Sequence, residues 1–397
     1  MLDQLGENLA RLRTGRGLTQ EDLAHQSGVS VDTISRLERG TRKAARGGTL
    51  SALARTLGTS TSVLLGMAPP ERTTLGADQL RRAVHALDLP DFAEESDVLP
   101  LEQLRDAAGT AWTDYLAGKH AEMLAGLPAL MVDTRRAVHA TEGDNSAHAA
   151  GLLATSYRLA AGLAGRLQLT DLAAHAAHRA LQVAPQTSRP DLDEAAALRY
   201  LAWVLVRQGD YEQAERIAVR AATRLDPGMM SMPDPDRVGV FGSLLFNAAS
   251  AAARGGNTHR ADDLLRVARA AACRDGVDRT GEAGVFGPRV AALQAVDQAV
   301  RTGRPDQALE MARRLPAPVG RVPAFWEAGH RLHLAAAAVD MGQWDDAIGH
   351  MDAARRTAPQ WARVQPLGQV VLAQLVEHWP SRRPSRLTEL VEHYSAA

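Results

Sequence analysis

The stretch that decides the fold is Leu18–Gly40, which reads LTQEDLAHQSGVSVDTISRLERG. We expect Thr19 to be the N-cap of one short helix. Its hydroxyl can accept a hydrogen bond from an exposed backbone N–H group, and an acidic residue, Asp22, follows three positions later. Gly28 is placed where that helix ends, since glycine adopts a left-handed backbone without steric cost. Ser30 then predicts the N-cap of a second helix, Val31–Arg39. Two short helices joined by a tight turn have helix-turn-helix spacing.

The second helix has two unlike faces. Ile34 and Leu37 are spaced to point inward. The outward residues are short or polar and end in two cations: Val31, Asp32, Ser35, Arg36 and Arg39. The loop after Gly40 is basic and placed to contact phosphate, through Arg42, Lys43 and Arg46.

These residues resemble the lambda-repressor-like, Cro-type helix-turn-helix family, often called the XRE family, over about Leu5–Gly66. The segments TQEDLA, GVS, ISRLERG and TLSALARTLGTSTSVLL follow one another in the family's order. The resemblance implies a five-helix domain at residues 1–66 whose third helix enters the major groove of double-stranded DNA. It implies that Gln20 contacts the phosphate backbone, and that Thr33 and Ser35 contact backbone or bases. It also implies base contacts from Val31, Asp32 and Arg36.

Arg36 is the strongest candidate for base readout, because a guanidinium can bind guanine through two hydrogen bonds. Val31 and Asp32 depart from the glutamine or threonine often found in the family. A carboxylate accepts from cytosine but repels phosphate, so the base code stays open. A protein-interaction module without DNA is the alternative. Residues 1–66 hold nine Lys or Arg against six Asp or Glu, whereas the remainder holds 36 against 40, and this charge distribution favours DNA binding.

Composition limits the class of protein. The 397 residues suffice for two or three domains or one repeat array, and 45% of them are hydrophobic. No apolar run has the length of a membrane span and no signal-peptide core is found, so we expect a cytoplasmic protein with no membrane partner. Cys273 is the only cysteine, which excludes an internal disulfide and a cysteine-built zinc site. We expect it to be buried in an alanine-rich helix.

The composition changes after Gly66. Residues 67–100 are interpreted as a linker: Met67–Ala77 contains two prolines, a short helix is expected at about Asp78–Leu87, and Leu89–Pro100 is acidic and bounded by proline.

Residues 101–397 are helical in pattern, with no convincing strand. A helix, a glycine and an alanine five residues later recur as GDYEQA at Gly209, GNTHRA at Gly256, GRPDQA at Gly303 and GQWDDA at Gly342. Looser copies surround Gly118 and Gln168. This pattern is typical of tetratricopeptide-like hairpins, in which glycine permits the turn and alanine the close helix approach. The expected fold is therefore all-α: the lambda-repressor-like helix-turn-helix domain followed by a tetratricopeptide-like α-solenoid.

When the repeats are aligned on their turns, two sets of residues occupy equivalent positions and form what we call ladders. The first ladder is polar and lies at one inward position of the repeat: Tyr200, Asn247, Gln294 and His333. Two tryptophans, Trp112 and Trp203, lie three residues further on in their own repeats. We interpret these six as candidate effector-binding residues; the alternative is chance in degenerate repeats. The second ladder consists of arginines at helix ends: Arg166, Arg207, Arg254 and Arg301. Interaction with the helix dipole is the favoured explanation and anion binding the alternative.

No catalytic motif is found. The pairs His175/His178 and His330/His333 have metal-compatible helical spacing, but no carboxylate or cysteine partner recurs near them in the sequence. Phosphate-binding loops and nucleophile elbows are absent from the sequence. We therefore expect no metal, no cofactor and no enzymatic activity.

The order of domains is a second resemblance. It looks like cytoplasmic regulators of Gram-positive bacteria that sense secreted peptides, and like a large actinobacterial group. This resemblance implies a homodimer on a two-fold operator, with a peptide or small-molecule effector, or a protein partner, bound by the repeats. The alternatives are a protein-interaction scaffold or antagonist acting through its repeats, and an enzyme built on a helical array.

Overall fold

The structure is a computed structural model that describes residues 4–41, 45, 47–57, 59, 61–65, 72–87, 98–226, 228, 234–281, 284–379 and 383–395. These residues are mostly helical, which confirms the all-α class. Their contacts form two compact units. The first unit falls within 1–68, 292–317 and 324–397, and the second within 69–291 and 318–323. The expected domain division at residues 1–66, 67–100 and 101–397 stays a prediction.

The N-terminal part of the first unit contains the five helices expected from the sequence. They are α1 Gln4–Thr14, α2 Gln20–Ser27, α3 Val31–Glu38, α4 Gly47–Thr56 and α5 Thr61–Leu64. Thr19 and Asp22 form a capping box at the start of α2, and Gly28 ends it with a φ of 71°. The Ser30 hydroxyl caps α3. Fully buried apolar side chains join the helices: Leu9, Leu23, Ile34, Leu37, Leu53, Leu57 and Leu64.

The segment interpreted as a linker contains a longer helix than expected. This helix, α6, runs Arg72–His85 and begins six residues before the predicted Asp78. It packs on α8, where Gly76 lies against the side chain of Leu124. A glycine in a polar stretch indicates a linker in the sequence, whereas here it permits close helix packing. Most of the predicted break Leu89–Pro100 lies outside the described residues.

Helical hairpins follow, turning at the six predicted positions. The helices are α7 Leu101–Ala117, α8 His120–Ala140, α9 Gly143–Arg166, α10 Thr170–Val183, α11 Pro190–Gln208, α12 Tyr211–Leu225, α13 Pro235–Arg254, α14 Thr258–Asp275, α15 Pro288–Arg301, α16 Pro305–Ala312, α17 Ala324–Asp340 and α18 Trp344–Thr357. Between α10 and α11 lies a 3-10 turn, Ala184–Gln186. Each turn residue has a positive φ: Gly118, Gln168, Gly209, Gly256, Gly303 and Gly342. The alanines of the motif are completely buried: Ala214, Ala261, Ala308 and Ala347.

The expectation of no strand is wrong. Strands β1, Arg279–Gly281, and β2, Gly284–Phe286, form an antiparallel pair. Phe286 of β2 is buried against Phe246, at 5.4 Å between ring centroids, and against Gly242. Three-residue strands are too short to produce a period-two hydrophobic pattern, so the sequence carried little signal for them.

The remaining helices belong to the first unit: α19 Pro359–Arg363, α20 Pro366–His378 and α21 Ser385–Ser395. They share an apolar core with α17 and α18. Val370 of α20 is instead buried in the apolar cluster of α1–α5. The last helices therefore contact the helix-turn-helix core directly.

Cys273 on α14 corrects another expectation, because it is exposed. The buried positions of α14 include Leu265, Ala268 and Ala272, and Cys273 directly follows the last of these on the helix. Successive residues on a helix differ in direction by 100°, so a neighbour of a buried alanine can face solvent.

Candidate functional site

Helix α3 is held by a carboxylate on its inner face. The Arg13 guanidinium donates to both oxygens of Glu38, at 2.7 and 3.0 Å, and the Gln20 amide donates to Glu38 Oε2 at 2.6 Å. The two charged side chains are only 13% and 7% exposed. The hydrogen bond to Glu38 raises the pKa of Arg13. Glu38 therefore joins α1, α2 and α3, so the outer face of α3 is presented by a fixed helix.

Glu38 was not among the residues predicted from the sequence. The signal was available, because Glu38 lies four residues after the buried Ile34 and thus on the same side of the helix. Gln20, expected to contact the phosphate backbone, has its amide directed to Glu38 in this structure.

The outer face of α3 presents the three residues proposed to read bases. Val31 is 38% exposed, and the side chains of Asp32 and Arg36 are 63% and 60% exposed. The Arg36 Nε donates to Asp32 Oδ1 at 2.9 Å. This ion pair aligns the guanidinium along the helix surface and leaves its remaining N–H groups available to an acceptor such as a base edge.

Two further candidates form a second contact on the same helix. Arg39 donates to the Ser35 hydroxyl at 2.8 Å and to the Ser35 carbonyl at 3.2 Å. Thr33 lies in the first turn, where its backbone N–H donates to the Ser30 hydroxyl at 3.3 Å. Arg42, Lys43 and Arg46 lie outside the described residues.

The structure places the candidate effector-binding residues in two groups. Those of the second unit are Trp112, Tyr200, Trp203 and Asn247, and those of the first are Gln294 and His333. Tyr200 is in the interior, with the Arg199 guanidinium 4.2 Å from its ring centre. The Asn247 amide donates to the Arg199 carbonyl at 2.7 Å and so links α13 to α11.

The two tryptophans are half-buried. Trp112 stacks on Tyr115 at 5.4 Å, and the Arg207 guanidinium lies 4.2 Å from the ring centre of Trp203. In the first unit, Gln294 is half-buried as well. The effector-binding role of these side chains stays a prediction.

His333 belongs to a buried cluster that the sequence did not reveal. Nδ1 of His333 is 3.4 Å from Asp297, and Nδ1 of His330 is 3.1 Å from the same carboxylate. Burial lowers the pKa of His333 to about 4, against the opposing effect of Asp297. Sequence analysis found no carboxylate partner for these histidines because Asp297 comes from α15, more than 30 residues earlier. Among the described residues, no group of three or more His, Cys, Asp or Glu side chains is arranged to hold a metal ion.

In the described ranges, no helix combines the length and apolarity needed to cross a lipid bilayer.

The capped turn between α2 and α3 and the exposed face of α3 define a helix-turn-helix DNA-binding domain. Residues 9–64 match a family model described as Helix-turn-helix. The chain is also 43% identical over 72 residues to an uncharacterized HTH-type transcriptional regulator, y4dJ, of Sinorhizobium fredii; the match covers 18% of this chain and 90% of that protein. The chain therefore belongs to the family of helix-turn-helix transcriptional regulators.

A structural comparison covers the repeats as well. The chain is similar to a crystal structure of Bacillus thuringiensis PlcR in complex with the peptide PapR7 and DNA, with 10% identity and a TM-score of 0.30. The alignment covers 89% of this chain and 94% of the other.

Proposed function

We propose that this chain is a sequence-specific transcription regulator that binds a two-fold operator as a homodimer. The observation that carries the proposal is the exposed Asp32–Arg36 face on a helix fixed from behind by Glu38. A rigid helix with an arginine on its outer face is suited to the major groove, where two guanidinium hydrogen bonds select guanine.

The small positive charge supports a dimer. Residues 1–66 carry a formal charge of +3, and each neutralised phosphate contributes to affinity through counterion release. Two copies double the number of phosphate contacts, and a dimer matches the symmetry of an operator with two half-sites.

We further propose that an effector bound by the repeats changes DNA affinity. The candidate contacts form two separate groups. Trp112, Tyr200, Trp203 and Asn247 lie in the second unit, and Gln294 and His333 lie in the first. The burial of Val370 in the helix-turn-helix core supports this coupling, because a shift of α20 would be felt by the DNA-binding helices. An effector regulates only if it binds one arrangement more tightly than the other.

The test is selection of the full-length chain on a library of random DNA duplexes, with Arg36→Ala selected in parallel. We expect enrichment of a site with two symmetry-related halves, and sedimentation should give two chains per duplex. Arg36→Ala should not enrich the same site. A library that stays random for the wild type would contradict the proposal and favour a scaffold that acts through its repeats.

A further inference from the structure

Three arginines of the second unit lie at equivalent positions in successive hairpins. Arg166, Arg207 and Arg254 each come two residues before a hairpin turn, near the ends of α9, α11 and α13. Cations at helix ends interact favourably with the helix dipole, so this placement alone does not indicate a ligand.

Two of the guanidiniums lie over aromatic rings. Arg166 is 3.8 Å from the ring centre of Tyr115, and Arg207 is 4.2 Å from that of Trp203. The Trp203 ring itself rests against Gly165, where a Cβ would overlap it. A guanidinium held on a fixed ring keeps its N–H groups around its edge, where they can donate to an anion.

A helix-end interaction accounts for the position of Arg166 but not for that of Arg207. Arg166 donates to the Tyr115 carbonyl at 2.7 Å, in the last turn of α7. Arg207 has no comparable contact: within the described residues, its partner is the ring of Trp203, and no carboxylate is within ion-pair distance. An arginine without an anionic partner remains available for one from solution.

The local charge is strongly positive. Part of the Arg207 side chain is exposed to solvent. Desolvation by neighbouring protein atoms, followed by the charges of Arg254 and Arg166, lowers the pKa of Arg207 to about 10. Arg207 thus stays charged at neutral pH while its neighbours repel it, and a bound anion would relieve this repulsion.

We propose that Arg207, together with Arg166 and Arg254, forms an anion-binding site for the effector. The site fits a ligand that carries a carboxylate or phosphate group, because guanidiniums bind both groups through paired hydrogen bonds. This inference rests on the proposed effector role of the repeats.

The experiment titrates the full-length chain with inorganic pyrophosphate and, separately, with citrate, at constant ionic strength and pH 7.5, by calorimetry. We expect saturable binding of at least one anion, and the preferred one identifies phosphate or carboxylate as the better group. Arg207→Gln should weaken binding about tenfold or more, because charge-assisted hydrogen bonds are lost. Arg220→Gln on α12 is the matched control, since Arg220 is exposed and the net charge changes equally.

A second readout separates binding from folding. Without anions, the circular dichroism spectrum of Arg207→Gln should match that of the wild type, which shows that the variant is folded. Equal loss of anion affinity in both variants would overturn the site, as would the absence of binding in the wild type. DNA affinity is measured separately: anion binding that leaves it unchanged would overturn the effector role and leave DNA recognition intact.

Discussion

Glu38 is the residue on which the presentation of the recognition helix depends. We expect Glu38→Ala to destabilise the helix-turn-helix domain by about 3 kcal/mol, because it leaves the nearly buried Arg13 without its partner. Hydrogen exchange of the Val31–Glu38 segment, measured by mass spectrometry on the full-length chain, gives this change directly. Glu21→Ala removes an exposed carboxylate of α2 and should leave exchange unchanged. Equal protection in Glu38→Ala and the wild type would contradict the structural role.

In the proposed complex with DNA, we expect Asp32 to limit the contact of Arg36 with the bases. Its carboxylate both pairs with Arg36 and repels phosphate. We expect Asp32→Asn to raise affinity for random DNA about two- to fivefold, in keeping with the small free energy of exposed ion pairs, and to reduce the preference for the selected operator. Competition binding with operator and random duplexes measures both. Unchanged or weaker affinity for random DNA would show that Asp32 does not oppose binding.

Because of His120, we expect the stability of the second unit to decrease in acid. Burial, followed by the charge of Arg166, lowers the pKa of His120 to about 4. In the unfolded chain His120 is protonated below about pH 6.5, whereas in the folded chain it is protonated only below about pH 4. The free energy of unfolding is therefore highest above pH 6.5 and decreases as the pH falls. We expect a loss of up to about 2 kcal/mol between pH 7.5 and 5.

The comparison uses urea unfolding of the full-length chain at both pH values. His120→Gln should remove this part of the pH dependence, whereas His259→Gln, at an exposed position, should not. If the wild type and His120→Gln lose the same stability on acidification, His120 does not titrate as described.

Among the elements, α9 and α11 pack through a position where only glycine fits. We expect Gly165→Ala to destabilise the second unit by about 1–3 kcal/mol, because the added Cβ overlaps the ring of Trp203. Gly151→Ala on the same helix has open space at its Cβ and should be neutral or stabilising. Thermal unfolding compares the two. Equal effects of both substitutions would contradict this packing.

Elements with a strong local signal could be predicted from the sequence. Caps and a left-handed glycine define α2 and α3, and the recurring glycine-to-alanine spacing places six hairpin turns, even where Gln168 replaces glycine. The β1–β2 pair and the early start of α6 lacked such a signal. Both depend on tertiary contacts, of Phe286 with Phe246 and of Gly76 with Leu124.

The site was predictable in part for the same reason. The outward face of α3 follows from helical periodicity, whereas the Glu38 network and the Asp297–His330 contact join residues 18 or more positions apart. The partner of a side chain at that distance is set by tertiary packing, and a single sequence does not specify it.

At the scale of the whole molecule, the charge separation along the chain sets the expected behaviour toward DNA. The positive helix-turn-helix segment precedes a remainder with a formal charge of −4. Nonspecific attraction is therefore modest, and we expect specificity to come from base contacts made by two copies of α3, with phosphate contacts adding salt dependence.

The most direct measurement is the affinity of the full-length chain for its selected operator at 50 and 200 mM salt, beside Arg36→Ala and the charge-matched control Arg266→Ala on α14. We expect wild-type affinity to fall steeply with salt, and Arg36→Ala to weaken operator binding about ten- to a hundredfold. Arg266→Ala should match the wild type. Equal operator affinity in all three proteins would contradict the central claim that α3 reads DNA through Arg36.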